Sequence, residues 1–130
     1  MLMKKKVLII TDGSEETAKM AAGIAAALRG NKVSIKNASD FKGNDILPAD
    51  AFFLGCEKAG PDSFTYLADL LKHINLAGRP CGIFSPGSEK AVKYLATLVH
   101  DCEAALNPEP LTGSGTAAGS WVQKVISRSF

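Results

Sequence analysis

Cysteine is scarce in this sequence. Cys56, Cys81 and Cys102 are odd in number, widely spaced and free of any CxxC pair. That argues against a disulfide framework and against a zinc site. A reducing, cytoplasmic compartment fits such cysteine usage best. Long apolar runs are missing as well. The basic start through Lys4-Lys5-Lys6 is followed only by Val7-Leu8-Ile9-Ile10 before Thr11-Asp12-Gly13-Ser14 breaks the run. An export segment needs roughly 7–15 apolar residues and a membrane span about 20, so neither is expected. Charge of one sign is also lacking. The formal net charge is +2, which gives no reason to expect a nucleic-acid or membrane partner.

What is present is a regular alternation of strand and helix signals. The 130 residues are 46% apolar, enough for one core in one domain spanning 1–130. Val7 to Ile10, Ala51 to Leu54 and Cys81 to Phe84 are continuous apolar runs, as strands covered on both faces require. Lys32-Val33-Ser34-Ile35-Lys36 alternates strictly, the mark of a half-exposed edge strand. Glu109 to Thr112 reads as a weak last strand, and Pro110 argues that it too is an edge.

Helical periodicity fills the gaps between the strands. Ser14 to Arg29 places Ala21, Ile24, Ala25 and Leu28 on one face, with Gly30 at the stop. Phe64, Leu67, Leu71 and Ile74 recur at helical spacing after Pro61, and Gly78 follows as the stop. Ser88 to Leu106 is expected as a long helix facing inward through Val92, Leu95, Val99 and Leu106, and Thr116 to Ser127 as the last. The stretch from Asn37 to Ala49 holds at most a short helix. Strands near 5–11, 32–36, 50–55, 80–85 and 109–113 then form a three-layer, doubly wound α/β fold. Its five-stranded parallel sheet should run in the order 2-1-3-4-5, which leaves the two weak strands outside.

Ligands of such sheets bind beyond the carboxyl ends of the strands, at the switch point between strands 1 and 3. That rule selects Thr11 to Thr17, Gly55 to Ser63 and Ser85 to Lys90, with Gly113 to Gly119 after the last strand. The first loop is rich in hydroxyls, and it opens a helix whose amides and dipole can cradle a phosphate. Ser14 also suits an N-cap, and Glu15 and Glu16 complement the helix dipole. The same residues therefore fit a self-satisfied helix start.

At Asp12-Gly13-Ser14-Glu15-Glu16-Thr17-Ala18-Lys19-Met20-Ala21 the sequence resembles the flavodoxin family, whose phosphate loop runs roughly S/T-x-T-G-x-T before helix 1. Leu54-Gly55-Cys56 is similar to the start of that family's flavin loop. The resemblance implies a flavodoxin-like fold, bound FMN, electron transfer and a redox partner protein. It would place the cofactor against Thr11, Asp12, Gly13, Ser14, Glu15, Glu16 and Thr17. It would also use Gly55, Cys56, Gly60, Ser85, Pro86 and Gly87.

The departures from the family are specific. Glu15 stands where the family has glycine, and Asp12 and Glu16 add two carboxylates. Each would repel a phosphate charge about 5–6 Å away by roughly 1–3 kcal/mol. Neither Glu57 to Asp62 nor Ser85 to Glu89 carries an aromatic to stack on a flavin. A rival reading is a domain of the same fold without flavin that acts through protein contacts. Thr11 to Glu16 also resembles the opening of nucleotide-binding universal stress proteins, although Gly113-Ser114-Gly115 and Gly119-Ser120 miss that family's second spacing. A receiver domain would need an acid at Gly55 and a lysine at Gly113. His73 and His100 lie within helices and are assigned no chemistry.

Overall fold

The computed structural model describes residues 5–113 and 118–126. The chain opens with β1 (Lys6–Thr11), α1 (Glu15–Ala27), β2 (Lys32–Asn37) and a one-turn α2 (Gly43–Ile46). There follow β3 (Ala51–Gly55), a 3-10 turn (Asp62–Phe64), α3 (Thr65–Leu71), β4 (Pro80–Ser85) and α4 (Glu89–Cys102). Two short strands, β5 (Ala105–Leu106) and β6 (Leu111–Thr112), precede α5 (Ala118–Ile126). The sheet runs β2-β1-β3-β4-β5, with β6 also on β4, and the pairings are parallel. This is the expected order.

Strand alternation builds two cores, one on each face of the sheet. Leu8, Ile10, Phe52, Leu54, Cys81 and Ile83 face α3 and α4, where they meet Leu67, Leu71, Leu95 and Val99. Val7, Ile9, Phe53 and Phe84 face α1 and α5, where they meet Ile24, Leu28, Trp121 and Val125. The two weak patterns are edges as read: β2 is largely exposed, while β3 and β4 are buried throughout. At the amino end, Arg79 Nη1 lies 3.0, 2.6 and 3.0 Å from the carbonyl oxygens of Ile46, Leu47 and Ala49. One guanidinium thus ties down the end of the short α2 and the turn after it, beside the Ala49 N–H that also donates to Ile46 O.

Three expectations need correction. The last strand is broken, not continuous over 109–113. Ala105 and Leu106 pair with Pro80 and Cys81, whereas Leu111 and Thr112 pair with Phe84 and Ser85. Pro108 and Pro110 lack the N–H that a ladder needs, so the chain bulges between the two rungs. The bulge is tied down by Asn107 Nδ2 and Trp121 Nε1, which both donate to the Glu109 carbonyl.

The helix expected over 88–106 stops at Cys102, because Glu103 takes a left-handed φ of 62° and its N–H turns back to His100 O. Leu106 is therefore a strand residue. The helix expected to run on to Gly78 ends at Leu71, and the chain crosses to β4 through Leu76 N–H, which donates to Cys102 O. The helix expected over 116–127 is described from Ala118 to Ile126. Part of the loop Gly113 to Gly119 lies outside the described residues.

Candidate functional site

The carboxyl ends of β1, β3 and β4 carry the loops selected from sequence. Thr11 is buried, and its Oγ1 accepts the Gly13 N–H at 3.2 Å. Gly13 has φ +82°, and a Cβ there would run into the Asn37 side-chain amide. The positive φ favours glycine, and any side chain there would also have to displace the Asn37 amide. Ser14 occupies the N-cap position of α1, yet its side chain does not cap the helix. Its Oγ instead lies 2.8 Å from Asp12 Oδ1 and 2.7 Å from Thr17 Oγ1. With one proton, it donates to the carboxylate and accepts from Thr17.

Asp12 joins two loops. Its Oδ1 also accepts the Ser14 N–H at 3.0 Å, and its Oδ2 accepts the Glu57 N–H at 2.8 Å. The first-turn amides of Glu15, Glu16 and Thr17 have no acceptor within the helix, as at any helix start. Glu15 and Glu16 reach Lys19 at 3.8 and 3.2 Å with well-exposed side chains, so these pairs contribute little.

Gly55 and Cys56 continue β3. A Cβ on Gly55 would overlap the ring of its register partner Phe84, which packs across it in the core facing α1 and α5. Gly60 has φ +65° and lies above Tyr94. Ser85, at the end of β4, is buried, and its Oγ has no hydrogen-bond partner among the described residues. Such an orphaned buried hydroxyl calls for a ligand or water atom. Pro86 and Gly87 lead to Ser88, whose Oγ accepts Ala91 N–H and caps α4. Beside them, a groove of about 730 Å³ runs between Ser88, Lys93, Pro110 and Thr112.

No family model matches the sequence, and no curated protein matches it. Solved structures do match. Oxidised flavodoxin 2 from Bacillus cereus superposes with a TM-score of 0.82 at 20% identity, over 95% of this chain and 99% of that one. A short-chain flavodoxin associated with a PDU bacterial microcompartment gives 0.83 at 14% identity, over 96% and 98%. Rubredoxin oxygen:oxidoreductase from Desulfovibrio gigas gives 0.71 at 19% identity, over 95% of this chain and 35% of that one. The fold is flavodoxin-like.

Within this flavodoxin-like fold, the aromatics are disposed as follows. Phe64 is fully buried. Trp121 is core, with its ring 5.5 Å from Phe53. Tyr66 is exposed, packs on Phe41 and accepts the Gly43 N–H. None of them belongs to Glu57–Asp62 or Ser85–Glu89. The residue that sequence reasoning missed is Tyr94. It projects from α4 beneath Gly60, 6.2 Å from the Phe64 ring. Its place was legible, since Ala91, Tyr94, Leu95 and Leu98 share one helical stripe.

His100 lies on α4, but His73, expected within a helix, falls in the turn that follows the end of α3 at Leu71. No cluster of metal-binding side chains exists among the described residues, and none of the helices there is long and apolar enough to cross a membrane.

Cys56 is buried, and its thiol is pushed up to about 12, first by burial and then by the Asp12 carboxylate. Burial likewise raises Cys81 and Cys102. All three cysteines are free. A thiol-specific chromogenic reagent at neutral pH should therefore find almost no reactive thiol in the native protein and three after denaturation without reductant. A denatured count of one would mean a disulfide. Between about pH 9 and pH 12 stability should fall as pH rises, because the unfolded chain releases the Cys56 proton first.

Proposed function

We propose that this chain binds FMN at the carboxyl edge of its sheet and passes electrons to a protein partner in the cytoplasm. The observation that carries the reading is the hydroxyl loop Thr11–Thr17. It stands at the switch point of the sheet and opens α1 with the first-turn amides of Glu15, Glu16 and Thr17. A phosphate ester needs such donors.

Thr11, Gly13, Ser14 and Thr17 would line the phosphate end. The backbone of Gly55, Cys56 and Gly60, with Ser85, Pro86 and Gly87, would meet the ring. The orphaned Ser85 hydroxyl gives that end one polar partner to offer. When bound, FMN would supply the redox chemistry, and the protein's part is to hold it and set its surroundings. Gly87 and Lys93 border the groove beside the ring end.

A second reading has its own support. The Asp12 carboxylate already takes donors that a phosphate would use, and no aromatic belongs to the two ring-side loops. On that reading the domain carries no flavin and works through protein contacts.

Titration with FMN separates the two. Saturable, 1:1 change of flavin fluorescence is the expected result. No binding up to about 1 mM, an affinity weaker than roughly 4 kcal/mol, would put the second reading first.

A further inference from the structure

We infer that Asp12 is the specificity-determining residue of this site and disfavours a ligand's phosphate group relative to its uncharged ring portion. The inference rests on the flavin reading for the identity of the ligand, but not for the geometry. Asp12 Oδ1 accepts the Ser14 N–H and O–H, and Oδ2 accepts the Glu57 N–H, all within 2.8–3.0 Å.

The bond to Ser14 N–H alone would be an ordinary local turn, of the kind aspartate makes two residues on. The bond to Glu57 is of another kind. It crosses 45 residues of sequence and fixes the loop after β3 to the loop after β1. The carboxylate thus sits where the two loops meet, and its two oxygens hold three donors. A phosphate entering between the loops competes for those donors and meets a fixed negative charge. It binds only if Asp12 swings out and releases Glu57. A ring without the phosphate asks for none of this.

Asp12 also differs from its acidic neighbours. Glu15 and Glu16 are exposed and turned toward Lys19, so salt screens them. Asp12 is half-buried and hydrogen-bonded in place. Its effect should persist at high salt, while theirs fades.

The test uses amide NMR on the full chain, wild type and Asp12→Asn, with inorganic phosphate, riboflavin and FMN added separately. Asparagine removes the charge at nearly constant shape. The expected result is that phosphate moves the Ser14, Glu15, Glu16, Thr17 and Glu57 amides of Asp12→Asn at concentrations at least ~10-fold lower than in wild type, a factor equal to about 1.4 kcal/mol. FMN should gain by a similar factor and riboflavin should not. The Glu57 amide should also exchange faster in the variant.

Equal phosphate responses in the two proteins would overturn the inference, as would equal gains for FMN and riboflavin. A phosphate response that differs as expected, with neither flavin bound by either protein, would uphold the role of Asp12 and remove the flavin reading alone. Should Asp12→Asn fail to fold, Asp12→Ser gives the same comparison.

Discussion

Exchanging Glu15 for glycine and Glu16 for asparagine should tighten FMN binding by at least ~10-fold at low salt. Each carboxylate would stand near a phosphomonoester that carries close to two negative charges, and one charge–charge repulsion of about 1.4 kcal/mol gives that factor. Lys19 offsets part of the field, since it reaches Glu15 at 3.8 Å and Glu16 at 3.2 Å. The pairs are exposed, however, so the compensation is incomplete and screened.

Glycine at position 15 also lets the backbone curl around the ester. The gain should shrink as ionic strength rises past the physiological range, where charges are screened over about 8 Å. The apo-protein should move the other way. Each acid in the first turn stabilises α1 by roughly 0.3–1 kcal/mol, so its midpoint of thermal unfolding should drop by a few degrees. Isothermal titration and a thermal melt on the same samples read both signs. An unchanged affinity would mean that charge is not the obstacle. The missing ring-side aromatics would then explain weak binding, and the reading without flavin would lead.

Gly82→Ala should cost more stability than any surface change in this chain. A Cβ at position 82 would lie 2.7 and 2.9 Å from Trp121 ring carbons and 2.9 Å from Phe53. Both rings are buried, and Gly82 belongs to β4, which pairs on both sides. Neither ring can retreat without moving a strand or α5. Overpacking of this kind costs typically 1–3 kcal/mol and sometimes more, or about 5–15 °C in the unfolding midpoint at this size. Trp121 is the only tryptophan, so its emission should report the displacement directly. Gly23→Ala is the matched control. Nothing lies within 4 Å of its added Cβ, and mid-helix alanine should raise stability by roughly 0.5–1 kcal/mol. A native-like melt for Gly82→Ala would mean that the Trp121 ring is not held as described.

The sheet was legible because its information is local. Val7–Ile10, Ala51–Leu54 and Cys81–Phe84 are runs that only a doubly covered strand needs, and Lys32–Lys36 alternates as only an edge does. The element ends were less legible. Leu106 fits the inward stripe of α4 by spacing, but the left-handed turn at Glu103 sends it into a strand. Periodicity cannot see a reversal made by one backbone angle in a residue that is not glycine.

At the site, sequence located the loops and missed what joins them. The hydrogen bond between Asp12 and Glu57 connects segments 45 residues apart, and no spacing rule encodes it. Ser14 shows the same limit. Its position is that of an N-cap, but a neighbouring carboxylate claims its hydroxyl.

The broken outer strand bears on behaviour at high concentration. A parallel sheet of this kind has two open sides, and each could template pairing with another copy. On the β5–β6 side, Pro108 and Pro110 remove two donors, and the bulge at Asn107–Pro110 divides what remains into two-residue rungs. An incoming strand finds no continuous row to bond. On the β2 side the six-residue edge runs unbroken, so alternate residues present N–H and C=O groups outward, and among the described residues of that strand Lys32 and Lys36 supply the guarding charge. Self-association through strand addition is thus closed on one side by geometry and restrained on the other by repulsion, which concentrated salt would weaken.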